Sequence, residues 1–553
     1  MALRSLRMHR WSRFTTTCCV GATCLLYLLV IVHWKDMRYW NGVGFSSVYS
    51  DDRKPQSINI SQDKDHSPLI QAVKTTVDKT KKPSAIKATD ISQFFRTAFL
   101  ITTPGGGIVV RVTSVEPCNN TNIAKLGIGN MTFNLTKATI SRSCPWQFAP
   151  HCNLVGYFSS ATLSKNATVP LPSPLPPKAK LYHEIREVWH EIELVDSRSI
   201  SNPQHKLGVC LQPMYLMADW PLIPNFFETW IGNGATLFFV YVQSVSVEVE
   251  TLLRMYETQR GIQVIRVDWP AFPTGRNDSD RYNPNNQIYR TEVVTAVNDC
   301  VLRARGKTSM IVSSDLDEII APMKETETLM DILQAFNNRR TTKGKRAPGA
   351  ILFRHSYAYA ENEWSHLKHP RDLNFSHYES IDVEEMIWKQ GLRSKVVMIP
   401  DHIYRAHVHS VVEFEVQSQF ETVVIDPKQA RVLHFRRVKS EAMNQTMVKS
   451  NLPILAKLAR RWNGAWRKRL RESSMNVKPG AKNVYNGRAL PALGDSTWRN
   501  AGNKVMSEID RCREANWEVR KNTCATVWKC RSELETIKED EWVQPDIGIW
   551  VTV

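Results

Sequence analysis

Between residues 206 and 312 the chain alternates short apolar runs with amphipathic stretches. Residues 206–211, 236–241, 262–267 and 310–312 are rich in β-branched and aromatic side chains and read as strands. The stretches between them read as helices. Residues 222–231 carry Phe226, Phe227 and Trp230 at helical spacing, residues 247–258 end near Gly261, and residues 286–305 put Val293, Val297 and Val301 on one face. This β-α-β-α-β-α-β order predicts an α/β fold with a mainly parallel sheet flanked by helices.

The flanks differ in character. Residues 15–32 hold no charge, Arg4, Arg7, Arg10 and Arg13 precede them, and Trp34 and Trp40 follow. The pattern predicts a cytosolic tail (1–14), a single transmembrane signal-anchor (15–34) and a lumenal remainder. A cleaved signal peptide fits less well, because the apolar stretch is long and no small-residue cleavage site follows it. Residues 35–93 are polar and aperiodic, as a stem would be. Short β-type runs at 98–101, 108–112 and 131–135 predict a β-rich accessory module over 94–168, and a Pro-rich linker follows at 169–180. The α/β domain then takes 181–440. A helical, Cys-containing extension takes 441–553. In it, 454–471 is a basic amphipathic helix suited either to a membrane surface or to packing on the body.

Composition narrows the class. Hydrophobic content of 42% and charged content of 23% are ordinary for a globular protein. The net charge of +18 is spread along the chain rather than gathered, so no nucleic-acid partner is expected. Beyond the anchor lie Cys118, Cys144, Cys152, Cys210, Cys300, Cys512, Cys524 and Cys530. An even count in an oxidising compartment predicts disulfides, with pairing not readable. Sequons at Asn59, Asn119, Asn130, Asn134, Asn166, Asn277, Asn374 and Asn444 lie on the same side and fit a glycosylated lumenal chain.

The chemistry centres on Ser313-Ser314-Asp315-Leu316-Asp317-Glu318, at the carboxyl end of the last predicted strand. Alternation in an extended chain puts Asp315 and Asp317 on one side and Leu316 on the other. Two converging carboxylates suit a hard divalent cation, which in a nucleotide-sugar transferase would bridge them to the diphosphate. The bland alternative is a solvated turn whose acids cap a helix.

The ordered stretches GVCLQPMY, ETWIGNGATLFFVYVQS, NDCVLRARGKTSMIVSSDLDEIIAP, RSKVVMIPDHIYRAHVHS and VLHFRR, between Leu207 and Arg437, resemble the glycosyltransferase family 92 domain. Ile319 stands where that family usually carries Phe. The resemblance implies a GT-A-type fold in a single-pass type II Golgi membrane protein with its catalytic domain lumenal. It also implies a UDP-sugar donor, UDP-galactose first, a divalent cation such as Mn2+, inversion, and a glycan acceptor on a glycoprotein or glycolipid. On it, Asp315 and Asp317 hold the metal with His409, or next His434, as third ligand; either histidine could equally be structural. Glu361 and Glu363 are candidates for the general base, or simply exposed loop acids. Arg393 and Lys395 are candidates for the diphosphate, or surface charge. Pro213, Tyr215 and Gln243 are placed for the uridine or are equally ordinary loop residues, and Asn298 and Asp299 either reach the nucleotide or satisfy buried backbone. Glu318 would cap the next element or orient a donor hydroxyl. The rival functions are a catalytically inactive lumenal glycan-binding protein on the same fold, and a hydrolase using the acid pair. The hydrolase suits poorly two acids on one short strand face, since glycosidase carboxylates flank the scissile bond.

Overall fold

The computed structural model describes residues 93–553 except 119–124, 165–173, 185, 275–282, 291, 338–345, 362–363, 438, 440, 451, 477–483, 486–487, 495–497, 516–523, 525 and 527. The expected tail, anchor and nearly all of the stem lie outside these residues, as do Cys18, Cys19 and Cys24. Among the described residues no helix is long and apolar enough to cross a membrane.

The β-rich module is a nine-stranded sheet built around Phe94–Thr102, Ile108–Pro117 and Leu154–Ser164. It extends past the expected boundary at 168. Lys178–His183 pairs antiparallel with Val188–Asp196, which runs parallel beside Phe94–Thr102. The reason is a period of two that the prolines upstream obscure: Ala179 and Leu181 are buried while Lys178 and Lys180 are exposed. The C-terminal Val551–Thr552 also returns to this sheet, against Phe95 and Phe94.

The second layer is a seven-stranded sheet in the order Gln263–Asp268, Leu237–Val242, His205–Met214, Thr308–Ser314, Lys395–Met398, Ala347–Phe353, Phe420–Val424. Six of these strands share one direction; Lys395–Met398 runs antiparallel to both neighbours. Leu237–Val242 shows why the sheet is covered twice. Phe238, Val240 and Val242 enter one core with helices Leu222–Gly232 and Val247–Glu257. Leu237, Phe239 and Tyr241 enter another with helix Val293–Ala304 and with Phe94 and Phe99 of the first sheet. A strand apolar on both faces needs two apolar layers. Helix Pro453–Asn476 closes the first core, burying Leu455, Leu458, Trp462 and Trp466, so its apolar stripe packs on the body.

The helix expected over 286–305 is shorter. A 3-10 turn at Pro284–Asn286 precedes an α-helix confined to Val293–Ala304. Arg290 and Glu292, between them, hold left-handed φ values of 52° and 54°. Glu292 is buried at the join between the layers, where it accepts a hydrogen bond from Thr295 (2.6 Å) and a Cβ on Gly156 would collide with Thr295. Burial pushes its carboxyl from 4.5 up to about 7. The folded state therefore holds this proton more tightly than the unfolded chain. Its contribution to stability is complete below about pH 4.5 and is lost as pH rises through about 7. The loss amounts to roughly 3 kcal/mol at 1.36 kcal/mol per unit. Glu292→Gln should flatten the fall in melting temperature across that window; an unchanged pH dependence would place the titration elsewhere.

Among the described residues there are four disulfides, Cys118–Cys144, Cys152–Cys524, Cys210–Cys300 and Cys512–Cys530. Cys152–Cys524 joins the module to the C-terminal extension, and Cys210–Cys300 pins the central strand to helix Val293–Ala304. The sequon asparagines Asn130, Asn134 and Asn374 are exposed.

Candidate active site

The acidic motif sits where the chain steps between sheets. Thr308–Ser314 ends in the central sheet, Asp315-Leu316-Asp317 is the step, and Glu318–Pro322 opens a five-stranded sheet beside Ala430–Arg436 and His355–Tyr359. The register of that sheet sets Glu318 directly opposite His434, and the Asp317 carbonyl accepts from the Phe435 amide at 2.8 Å. The reversed strand brings Lys395 in from the other side.

All these groups are buried. Lys395 Nζ lies 2.9 Å from Asp315 Oδ2 and 2.8 Å from Glu318 Oε2. His434 Nε2 lies 3.0 Å from Asp317 Oδ2, and its Nδ1 is 3.4 Å from Glu318 Oε1. Burial is the largest influence on each acid: it raises Asp315, pushes Asp317 up to about 6 and Glu318 up to about 8. Lys395 opposes that rise, and the two acids it pairs with hold its own ammonium protonated against the pull of burial. Burial and the neighbouring cations keep His434 well below the ordinary histidine range, hence neutral. Three acidic groups thus face one ammonium, with the Arg436 guanidinium behind, itself lowered to about 10 by burial. With all three ionised, the acids outnumber these two cations, and that is the shortage of positive charge at the site.

A divalent cation fits that shortage. Asp317 Oδ1 has no hydrogen-bond partner among the described residues, and neither ring nitrogen of the fully buried His355 has one. Ligand atoms of Glu318, His355 and His434 lie within 4.8 Å of one another. Neutral imidazoles with carboxylate oxygens suit manganese or a similar ion.

Asp315 and Asp317 open onto a cavity of about 120 Å³. Its walls include Pro213 at the end of strand His205–Met214, Tyr215 just after it, Asp219, Arg290, Arg437, and helix Gly502–Ala515 of the C-terminal extension. Asp219 is ion-paired with Arg437 and accepts from Asn500 at 3.0 Å. Leu216 and Arg290, both on this wall, hold left-handed φ values of 52°. For a leucine that conformation is strained, and such strain gathers at functional sites.

Residues 205–479 match the model of glycosyltransferase family 92. The chain carries a glycosyltransferase family 92 domain. Two curated Caenorhabditis elegans proteins, each described as a glycosyltransferase family 92 protein, are 26% identical over 133 residues and 24% identical over 123. Those matches cover 24% and 22% of this chain, and 25% and 24% of the relatives. The chain is thus matched to about a quarter of the length of these relatives. Among solved structures, Staphylococcus aureus TarS with UDP-GlcNAc is 10% identical, covering 57% of this chain and 76% of that one at a TM-score of 0.23. A Pyrobaculum calidifontis mannosyltransferase with GDP-Man and Mn2+ is 12% identical, covering 51% and 79% at a TM-score of 0.22.

Within the family 92 domain, Asp315, Asp317, Pro213 and Tyr215 share the cavity wall. Gln243 does not; it lines a small adjoining cavity together with Tyr215 and Arg290. His434 stands against the acids, whereas His409 turns its Nδ1 to the Ser394 carbonyl at 3.0 Å and is not in the Glu318–His355–His434 group. Lys395 is committed to Asp315 and Glu318 rather than presented to a phosphate. Arg393 lies over the Trp388 and Tyr357 rings, 4.2 and 5.0 Å from their centroids, and burial lowers it to about 9. Asn298 braces backbone, donating to the Val294 and Ala406 carbonyls and accepting from the Ala406 amide. Asp299 is spent in the core on Arg303, Tyr241 and Thr113. Glu361 is exposed, and Glu363 lies outside the described residues.

Sequence reasoning missed His355, Asp219, Arg290 and helix Gly502–Ala515. His355 carried one usable signal: it follows the apolar run ending at Phe353, as Asp315 follows Val312. Asp219 and Arg290 sit in loops whose side-chain directions depend on left-handed neighbours.

Proposed function

We propose that this protein is a metal-dependent glycosyltransferase of GT-A type that moves galactose from UDP-galactose to a glycan acceptor with inversion. The observation that carries the reading is the pair Asp315 and Asp317, held at the step between two sheets with their carboxylates at the cavity. Asp315, Asp317 and His434, with Glu318 and His355 behind, are the residues that would hold the cation. When bound, the cation supplies charge neutralisation for the departing nucleotide diphosphate.

The chain's own groups prepare that site. Lys395 fixes one oxygen of Asp315, and His434 fixes one oxygen of Asp317, so neither carboxylate has to reorganise. Inverting transfer also needs a base on the acceptor hydroxyl. Asp219 is the third carboxylate on the cavity wall, so we place the base there ahead of Glu361. Buried apolar groups on the same wall, Leu222 and Ile509 among them, limit access of water. The four disulfides and the exposed sequons support a lumenal setting; with the arginine-flanked apolar run they favour a type II Golgi enzyme.

The test is UDP release from UDP-galactose by purified protein with a panel of acceptor glycans, with Mn2+ and with chelator. Acceptor-dependent and cation-dependent release supports the reading. Glycan binding without release would favour an inactive lectin-like protein. Release from another nucleotide sugar alone would replace the donor and leave the reaction class standing.

A further inference from the structure

Helix Gly502–Ala515 lies beyond residues 205–479, the span that matches the family model, yet it forms part of the cavity wall. It is held there by several constraints. Gly502 has no room for a side chain, since a Cβ would stand 2.8 Å from the Asp219 Cα. Val505 and Ile509 are buried against Tyr215 and Leu216. The Cys512–Cys530 disulfide fixes the far end.

The residue after that cysteine, Arg513, reaches the cavity, as does Arg290 from the strained loop before helix Val293–Ala304. Arg513 and Arg290 line the same cavity, and burial, then the charge of Arg290, hold the Arg513 guanidinium below its ordinary value. Arg513 is balanced in part by Asp510 at 3.3 Å, and Arg290 lies over the Tyr289 ring, 5.4 Å from its centroid. Arg290 also acts electrostatically on Asp315 across the cavity. Two guanidinium groups on one half-buried wall repel, and an anion between them turns that repulsion into attraction. The same cavity is lined by two carboxylates, Asp315 and Asp317, that fit a cation. An anion that bridges guanidinium groups to a divalent cation, with oxygens for both, is a diphosphate.

We propose that Arg513 and Arg290 bind the diphosphate of the donor nucleotide, so that the C-terminal extension completes the donor site. This rests on the reading of the cavity as a nucleotide-sugar site, and it names the group that the site grips from outside the family-matched segment.

The test is calorimetric titration of the whole lumenal protein with UDP and with uridine, both in Mn2+. Arg513→Gln should weaken UDP roughly 10- to 100-fold, the size of a lost charge-assisted pair, and leave uridine within about twofold. Arg513→Lys, which keeps the charge without the fork, should recover part of the loss. The salt dependence of UDP affinity should be shallower in Arg513→Gln than in wild type. Equal weakening of UDP and uridine would mean that Arg513 only supports the helix, and would overturn the assignment. So would a wild-type UDP affinity in Arg513→Gln, while leaving the donor site standing. Failure of wild-type protein to bind UDP at all would instead remove the underlying reading.

Discussion

Asp317→Asn should lower acceptor-dependent UDP release by on the order of 10³-fold, the scale seen when one preorganised electrostatic contact to a reacting group is removed. The asparagine has nearly the same shape, so the step between sheets should persist. What disappears is a buried charge whose carboxyl is already raised to about 6 by burial. Neutralising such a charge costs the fold little and can stabilise it, because desolvation is relieved. The expected signature is therefore a collapse of turnover with a melting temperature unchanged or higher. A variant that is inactive because it is unfolded would show the opposite thermal shift. Turnover within a few-fold of wild type would take Asp317 out of the reaction.

Lys395→Met should act on the fold. Lys395 is 1% exposed and is the ammonium shared by Asp315 and Glu318. A methionine fills similar volume but leaves two buried carboxylates facing each other, with Asp317 beside them. Removing one partner of a buried ion pair costs about 3–5 kcal/mol, because the remaining charge stays in a poor solvent. Urea denaturation should show a loss of this size, and adding Glu318→Gln should recover much of it by removing one of the stranded acids. A loss below about 1 kcal/mol would mean that the acids are protonated in the folded protein and that Lys395 is not their counter-charge.

The parts of the fold that sequence discloses are those carried by side-chain period. The strands at Leu237–Val242 and Gln263–Asp268 and the helices at Leu222–Gly232 and Val247–Glu257 fall within a residue or so of their expected bounds. Their alternation also implied helices flanking the sheet. What the second layer is made of does not follow from period. The first sheet supplies Phe94 and Phe99 to that core, and the strands at Lys178–His183 and Val188–Asp196 join it across a proline-rich stretch. The shortened helix at Val293–Ala304 has a similar cause. Residues 287–292 have the spacing of a helix, but Glu292 is drawn into the join with Gly156 and the backbone turns left-handed.

The site divides in the same way. Asp315 and Asp317 were legible because they close an apolar run, and His434 was one of two histidines the resemblance left open. The choice between His434 and His409 depends on cross-strand register: Glu318 faces His434 only because Glu318–Pro322 and Ala430–Arg436 pair antiparallel. Lys395 was a candidate phosphate ligand because an ammonium group matches phosphate, with surface charge as the alternative. Here the reversed strand delivers it to the acids instead. Arg513 had no signal at all, since nothing in its segment shows that the chain returns to the cavity more than two hundred residues after Arg290.

The central claim is that the Asp315–Asp317 step holds a divalent cation for a nucleotide diphosphate. Electron paramagnetic resonance of Mn2+ titrated into the protein, with and without UDP, measures this most directly. One Mn2+ bound per chain, tightened by UDP and lost in Asp317→Asn, is the expected result. Mn2+ that stays free in solution with UDP present, or that binds equally well to the Asp317→Asn protein, would contradict it.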